Sequence, residues 1–145
     1  MSDWWQQASK SICQLSRQSA IARQRQLTKP AGSLGLLEQI AIDFAGWQQR
    51  EIPQLDNIQI CVFAADHGVV EEGVSAFSQV VTGEMVKNFA SGGAAISVIA
   101  KQVGANFSVV NMGLVVSLGD VTDVIDCSVA SGTNNFTKAA AMDSH

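Results

Sequence analysis

An apolar, β-rich run that stops abruptly at an acid, a histidine and a glycine constrains this chain more than any other feature. Ile58, Ile60, Cys61, Val62 and Phe63 are bounded upstream by Pro53 and Asp56-Asn57, and Ala64-Ala65-Asp66-His67-Gly68 closes the run. Continuous apolar character of this length predicts a strand covered on both faces, the habit of parallel sheets. In open α/β sheets ligands collect just beyond the carboxyl ends of such strands. Asp66 and His67 occupy that place.

The flanking segments predict helices. From Trp4 to about Arg25, Trp5, Ala8, Ile12, Leu15 and Ser19 recur at three- or four-residue intervals, the pattern of one or two amphipathic helices. Leu27 to Ser33 breaks the pattern with Pro30 and Gly32. Ser33 then reads as the N-cap of a helix carrying Leu34, Leu37, Ala41, Phe44 and Ala45, ended by Gly46 and Pro53. Beyond the strand, Thr82 reads as the N-cap of a helix with Met85, Val86 and Phe89, and Ser91-Gly92-Gly93 interrupts it. Ala94 to Val103 follows as a helix with Ala95, Ile96, Val98 and Ile99 apolar, closed by Gly104. Phe107 to Val110 and Val121 to Ile125 read as further strands, and Ser131 to Lys138 as a polar loop. Strand, helices, strand is a crossover unit, so the expected fold is α/β, layered helix, sheet, helix.

Composition narrows the function classes. With 145 residues and 47% hydrophobic side chains, one core is within reach. A net charge of −4 with scattered Lys and Arg leaves no electrostatic footprint for nucleic acid. No apolar stretch approaches a bilayer span, and the first residues, with Asp3 among them, lack a signal-peptide layout, so a cytoplasmic location is expected. Cys13, Cys61 and Cys127 are odd in number and widely spaced, which predicts reduced thiols rather than disulfides or a zinc site. His67 and His145 are the chain's two imidazoles, so a metal site is not expected, and no cofactor is assigned.

Several motifs admit two readings. Asp66 beside His67 suits a carboxylate that holds an imidazole in one tautomer, or a pair that caps a loop; Gly68 and Gly73 would permit positive φ there. Ser91-Gly92-Gly93 before a helix suits either an anion cradle or close helix packing, and Ser131-Gly132-Thr133-Asn134 has the same ambiguity. Phe77 and Met85 suit a flat aromatic slot or ordinary core. Lys29 is either a phosphate contact or a solvated lysine.

Taken in order, Leu27-Thr28-Lys29-Pro30-Ala31-Gly32-Ser33-Leu34-Gly35, Ala64-Ala65-Asp66-His67-Gly68-Val69, Glu72-Gly73-Val74-Ser75, Val81-Thr82 and Gly92-Gly93-Ala94-Ala95-Ile96 resemble the nicotinate-nucleotide–dimethylbenzimidazole phosphoribosyltransferase family. The resemblance runs from about Leu27 to Met142. It implies a three-layer Rossmann-like core with a mainly parallel sheet, incomplete in this chain, and a smaller helical part. Residues 1–50 would form the amino-terminal helical segment and 51–145 the first part of the α/β core.

It further implies a homodimeric, metal-free transferase of cobalamin nucleotide-loop assembly. Such an enzyme moves phosphoribose from nicotinate mononucleotide to 5,6-dimethylbenzimidazole, giving α-ribazole 5′-phosphate and nicotinate. By motif position Phe77 and Met85 match residues lining the benzimidazole pocket, Asp66, His67 and Gly68 match the adjoining loop, and Gly132-Thr133 with Asn135 resembles a further active-site loop. The family's general-base glutamate is expected beyond His145, so no catalytic residue is assigned here and the 145 residues alone are expected to be inactive. A non-catalytic benzimidazole-binding module is the alternative reading.

Overall fold

The structure is a computed structural model that describes residues 6–143. The chain divides into two compact units, Met1–Asp56 and Asn57–His145.

In the first unit, α1 (Gln14–Gln26) packs on α2 (Leu36–Gln48). Helix α1 begins later than the apolar spacing predicts. Cys13 is extended, and its Sγ accepts the Ser16 amide at 3.5 Å, so the chain turns helical only there. Ala8 and Ile12 lie ahead of the helix, and Trp4 and Trp5 fall outside the described residues.

Ser33 does not cap α2. Gly35 takes the N-cap position, and the Glu38 carboxylate accepts the Leu34 amide at 3.2 Å in the capping role. That carboxylate also pairs with Lys29 Nζ at 2.7 Å, which makes Lys29 a largely covered ion-pair partner rather than a solvated lysine. Gly46 does not end α2 either. It is buried where the Arg17 side chain of α1 passes, and the helix continues to Gln48 before Gln49 turns it off at φ 54°. Arg17 and Asp43 tie the pair together at 2.6 Å.

In the second unit, β1 (Gln59–Ala65), β2 (Asn106–Gly113) and β3 (Val124–Asp126) form a parallel sheet in the order β1-β2-β3. Helices α3 (Val80–Ala90) and α4 (Ala95–Gln102) connect β1 to β2. This is the α/β crossover arrangement expected, in an open sheet. The core lies between α3 and one sheet face, where Val86 and Phe89 meet Ala64, Phe107, Val109 and Val124. Parallel register sets Val62 beside Val109 and Val109 beside Val124, so these side chains share a face.

The expectation that β1 is covered on both faces fails, because Gln59, Cys61 and Phe63, which point away from that core, are exposed. Thr82 is not an N-cap: α3 starts at Val80, after a turn in which Ser78 O accepts the Val81 amide, and Thr82 lies within the helix. On α4 the buried positions are Ser97 and Ala100, while Val98 and Ile99 are 55% and 59% exposed. Ser97 is tolerated inside because its hydroxyl donates to Phe89 O at 3.0 Å. Strand β3 starts at Val124 rather than Val121, since Gly119 and Asp123 both adopt positive φ and keep the chain turning.

Candidate functional site

The carboxyl end of β1 is where the sheet becomes irregular. Ala64 pairs with Asn111 but Ala65 with Gly113, a register shift that leaves Met112 as an extra residue in β2. Past it Asp66 is 3% exposed. Its amide donates to Gly113 O at 2.9 Å, its carbonyl accepts from Thr133 N at 3.1 Å, and its carboxylate Oδ2 accepts from Val115 N at 2.9 Å. Asp66 therefore joins three strand-end segments, and it does not hold the neighbouring imidazole.

That role falls to Thr133. His67 and Thr133 form an isolated parallel bridge, closed by Gly68 N donating to Thr133 O at 2.9 Å. Thr133 Oγ1 lies 3.4 Å from His67 Nδ1. The bridge requires Gly68 for a steric reason: a Cβ there would sit 2.6 Å from both Asn135 N and Thr133 O. Gly68 does not adopt the positive φ that a loop glycine suggests; Gly73 does, at +70°. Gly132 turns the facing loop at φ +82°, close under Asp66 O, a conformation that L side chains rarely adopt.

After His67 the chain makes a 3₁₀ turn, Gly68–Glu72, and then an irregular, bent passage into α3. Ser75 Oγ accepts from the Phe77 amide at 3.2 Å and donates to Phe77 O at 3.0 Å, pinning that passage. Gln79 Nε2 reaches back to His67 O at 3.3 Å. Between these segments lies a cavity of about 460 Å³ walled by Val70, Val74, Phe77, Val81 and Met85, with Asp66 and His67 at one side. Phe77 is 71% and Met85 39% exposed, so neither is core. The interruption of α3 by Ser91-Gly92-Gly93 is the α3–α4 turn, with Gly93 pressed against Asn88 and bonded to its carbonyl, and it does not line this cavity.

Asp66, His67, Phe77 and Met85 thus line one space, and Gly68, Gly132 and Thr133 form the wall behind it. A polar clasp between Glu71-Glu72 and the segment 135–138 holds that wall. Asn135, 7% exposed, donates to Glu72 Oε1 at 2.7 Å and Glu71 Oε2 at 3.3 Å, and accepts from Thr137. Lys138 Nζ lies 2.7 Å from Glu71. Its hydrogen bond, with that of Asn135, holds the Glu71 carboxyl below its ordinary pKa, and Glu71 in turn raises Lys138.

A second cavity, of about 430 Å³, opens beyond the ends of β2 and β3 beside Asn111, Leu118 and Asp126. Ser128, through its side chain and amide, and then Asn111 hold the Asp126 carboxyl below its usual range. The walls of this cavity combine the ends of β2 and β3 with the irregular segments between and after them, a combination that local sequence patterns do not show. Among the described residues no three His, Cys, Asp or Glu side chains gather in metal-binding geometry, and no helix is long and apolar enough to cross a membrane.

Comparison with known proteins agrees with the family resemblance. A family model described as phosphoribosyltransferase matches residues 10–145. The nicotinate-nucleotide–dimethylbenzimidazole phosphoribosyltransferase of Pseudomonas fluorescens is 50% identical over 139 residues, which is 96% of this chain and 40% of that protein. Its Xanthomonas oryzae pv. oryzae counterpart is 54% identical over 126 residues, 87% of this chain and 36% of that protein. The crystal structure of the enzyme so named from Thermus thermophilus superposes with a TM-score of 0.84 at 41% identity, covering 91% of this chain and 40% of the other. The chain spans about 40% of the length of these relatives. It belongs to the phosphoribosyltransferase family whose relatives are named nicotinate-nucleotide–dimethylbenzimidazole phosphoribosyltransferases.

Proposed function

We propose that this chain supplies the base-binding slot of an enzyme that transfers phosphoribose from nicotinate mononucleotide to 5,6-dimethylbenzimidazole, releasing nicotinate. One observation carries the reading: Phe77 and Met85, too exposed to be core, face a common apolar cavity with His67 and Asp66 at the carboxyl end of β1. An apolar cleft with a few polar groups at one side suits a flat, largely apolar ring with polar nitrogens.

The chemistry asks for a defined geometry. The bond from ribose to a cationic pyridinium nitrogen breaks as the sugar carbon gains oxocarbenium character, and the incoming ring nitrogen attacks from the opposite face. A slot that fixes the ring plane contributes orientation, which is the largest service a binding wall can offer. The glutamate that takes the proton lies, by the resemblance, beyond His145, so these 145 residues bind base without turning it over.

In this reading residues 1–50 belong to a smaller helical part and 51–145 to the first part of the core. The complete enzyme is a cytoplasmic homodimer that needs no metal. Titration calorimetry of the chain with 5,6-dimethylbenzimidazole, beside an assay for nicotinate release, tests the proposal. Saturable binding without release is expected. Base-dependent release by the chain alone refutes the assignment of the proton acceptor, and absence of binding refutes the slot.

A further inference from the structure

We propose that the 145-residue chain pairs with a second copy of itself through an apolar stripe on α2, so that two α1–α2 pairs join into a four-helix assembly about a two-fold axis. The inference concerns the first compact unit and does not rest on the base-binding reading.

Helix α2 is apolar over more of its circumference than α1 covers. It meets α1 through Gly46, where the Arg17 side chain passes, and through Asp43, which pairs with Arg17. At about 100° per residue, Leu36, Leu37, Ile40, Phe44 and Trp47 fall within an arc of about 100° that contains neither of those residues. Leu36 is 73%, Leu37 63%, Ile40 42% and Trp47 57% exposed. A helix that is apolar well beyond the stripe its neighbour covers has a second face to bury. Part of that face is already arranged, since the Phe44 and Trp47 rings sit 5.4 Å apart at an interplanar angle of 56°.

Spacing, charge and area together select the occupant. Leu37, Ile40, Phe44 and Trp47 recur at intervals of three, four and three, the a and d positions of a helix that packs lengthwise on another. The series is symmetric about Ile42, so an antiparallel second copy sets Leu37 against its Trp47 and Ile40 against its Phe44, and the two-fold axis repeats each contact. A two-fold interface requires this self-complementarity. The charged residues of α2 are Glu38 and Asp43; both lie outside the arc, and each already pairs with a cation, Lys29 or Arg17. Two copies therefore meet without like charges opposed. The absence of Lys and Arg from α2 also disfavours a membrane surface, because interfacial helices carry basic side chains on their polar face.

The area sets the strength. These side chains leave roughly 450 Å² uncovered per copy, so pairing removes about 900 Å² from water, short of the roughly 1,200 Å² at which stable complexes begin. The dimer is accordingly a weak one, with a dissociation constant of about 10–100 µM.

Sedimentation equilibrium of the chain between about 1 and 300 µM reads the association. Concentration-dependent dimerisation is expected. Ile40→Lys should raise the dissociation constant at least about tenfold while keeping the helical circular dichroism and the thermal transition. Leu37→Glu and Trp47→Lys, at two more exposed positions, should each be monomeric alone and associate when mixed, because antiparallel pairing brings the two substituted positions together. Parallel pairing would not. If Ile40→Lys fails to fold, the mixture decides. A monomer across the whole range overturns the inference and leaves the stripe to a different polypeptide. A dimer undiminished in Ile40→Lys overturns it by placing the contact on another surface, such as the open sheet face around Phe63. Failure of the mixture to associate overturns the antiparallel two-fold arrangement on which the inference stands.

Discussion

Removing the Phe77 ring separates a ligand wall from a folding core, because the two roles give opposite signatures. Phe77 is 71% exposed, so the fold already does without most of its burial. A Phe side chain offers at least about 150 Å² for burial, and its exposure leaves roughly 100 Å² for a ligand to cover. If a flat ring covers half of that and loses a matching area of its own, about 100 Å² leaves water, a contribution on the order of 2.5 kcal/mol at 25 cal/mol per Å². Phe77→Ala should forfeit most of it, weakening 5,6-dimethylbenzimidazole binding by about 30-fold. Unfolding free energy should change by only about 0.5 kcal/mol, as at other surface sites. Calorimetry and urea denaturation on the same preparation measure both. Unchanged affinity together with a loss of about 3 kcal/mol in stability would show that Phe77 packs the fold, and would refute the slot.

Other perturbations probe what holds the slot in place. Val86, fully buried between α3 and the sheet, gives the converse of Phe77: Val86→Ala should cost about 2 kcal/mol of stability by denaturation and spare base affinity in whatever fraction remains folded. Gly68→Ala drives a methyl into the Thr133–Asn135 backbone, so it should destabilise by about 1–3 kcal/mol and speed amide exchange at Gly68 and Thr133. The clasp has a pH signature of known sign. Glu71 is depressed, so its contribution is present above the ordinary carboxylate range and lost as pH falls through its lowered value; Lys138 is raised, so its contribution is present below the ordinary lysine range and lost as pH rises through its elevated value. Exchange of the Thr133 amide should therefore be slowest between those limits after correction for intrinsic rates, and Lys138→Met should flatten both edges.

Local patterns carried the elements because local physics makes them. The apolar run to Ala65 became β1, Gly104 closes α4, and the loop after β1 lines the cavity. What misled was capping and facing. Ser33 and Thr82 are good N-caps in isolation, yet Gly35 with Glu38 starts one helix and Gln79 the other, since a side chain four residues on or a preceding turn can serve the same amides. On α4 the apolar residues Val98 and Ile99 face outward while Ser97 faces in. Periodicity alone could not show this, because Ser97 finds its partner in a carbonyl of another helix.

The cavity lining was legible as a set of residues but not as a set of relations, and the reason is sequence separation. Asp66 next to His67 invites the idea that the acid orients the imidazole, as adjacency makes that contact cheap to imagine. In the fold the two side chains diverge, as neighbours at a strand end must. Asp66 spends its carboxylate on Val115, 49 residues on, and His67 meets Thr133, 66 residues on. Both contacts depend on a register shift at Ala65 and on a glycine small enough to let a distant loop lie against the strand end. A short motif therefore suffices to name the side chains at a strand end, because the strand and its terminus are local. What His67 lies against is decided by a loop whose own sequence, Gly132-Thr133-Asn134-Asn135, shows only that it turns.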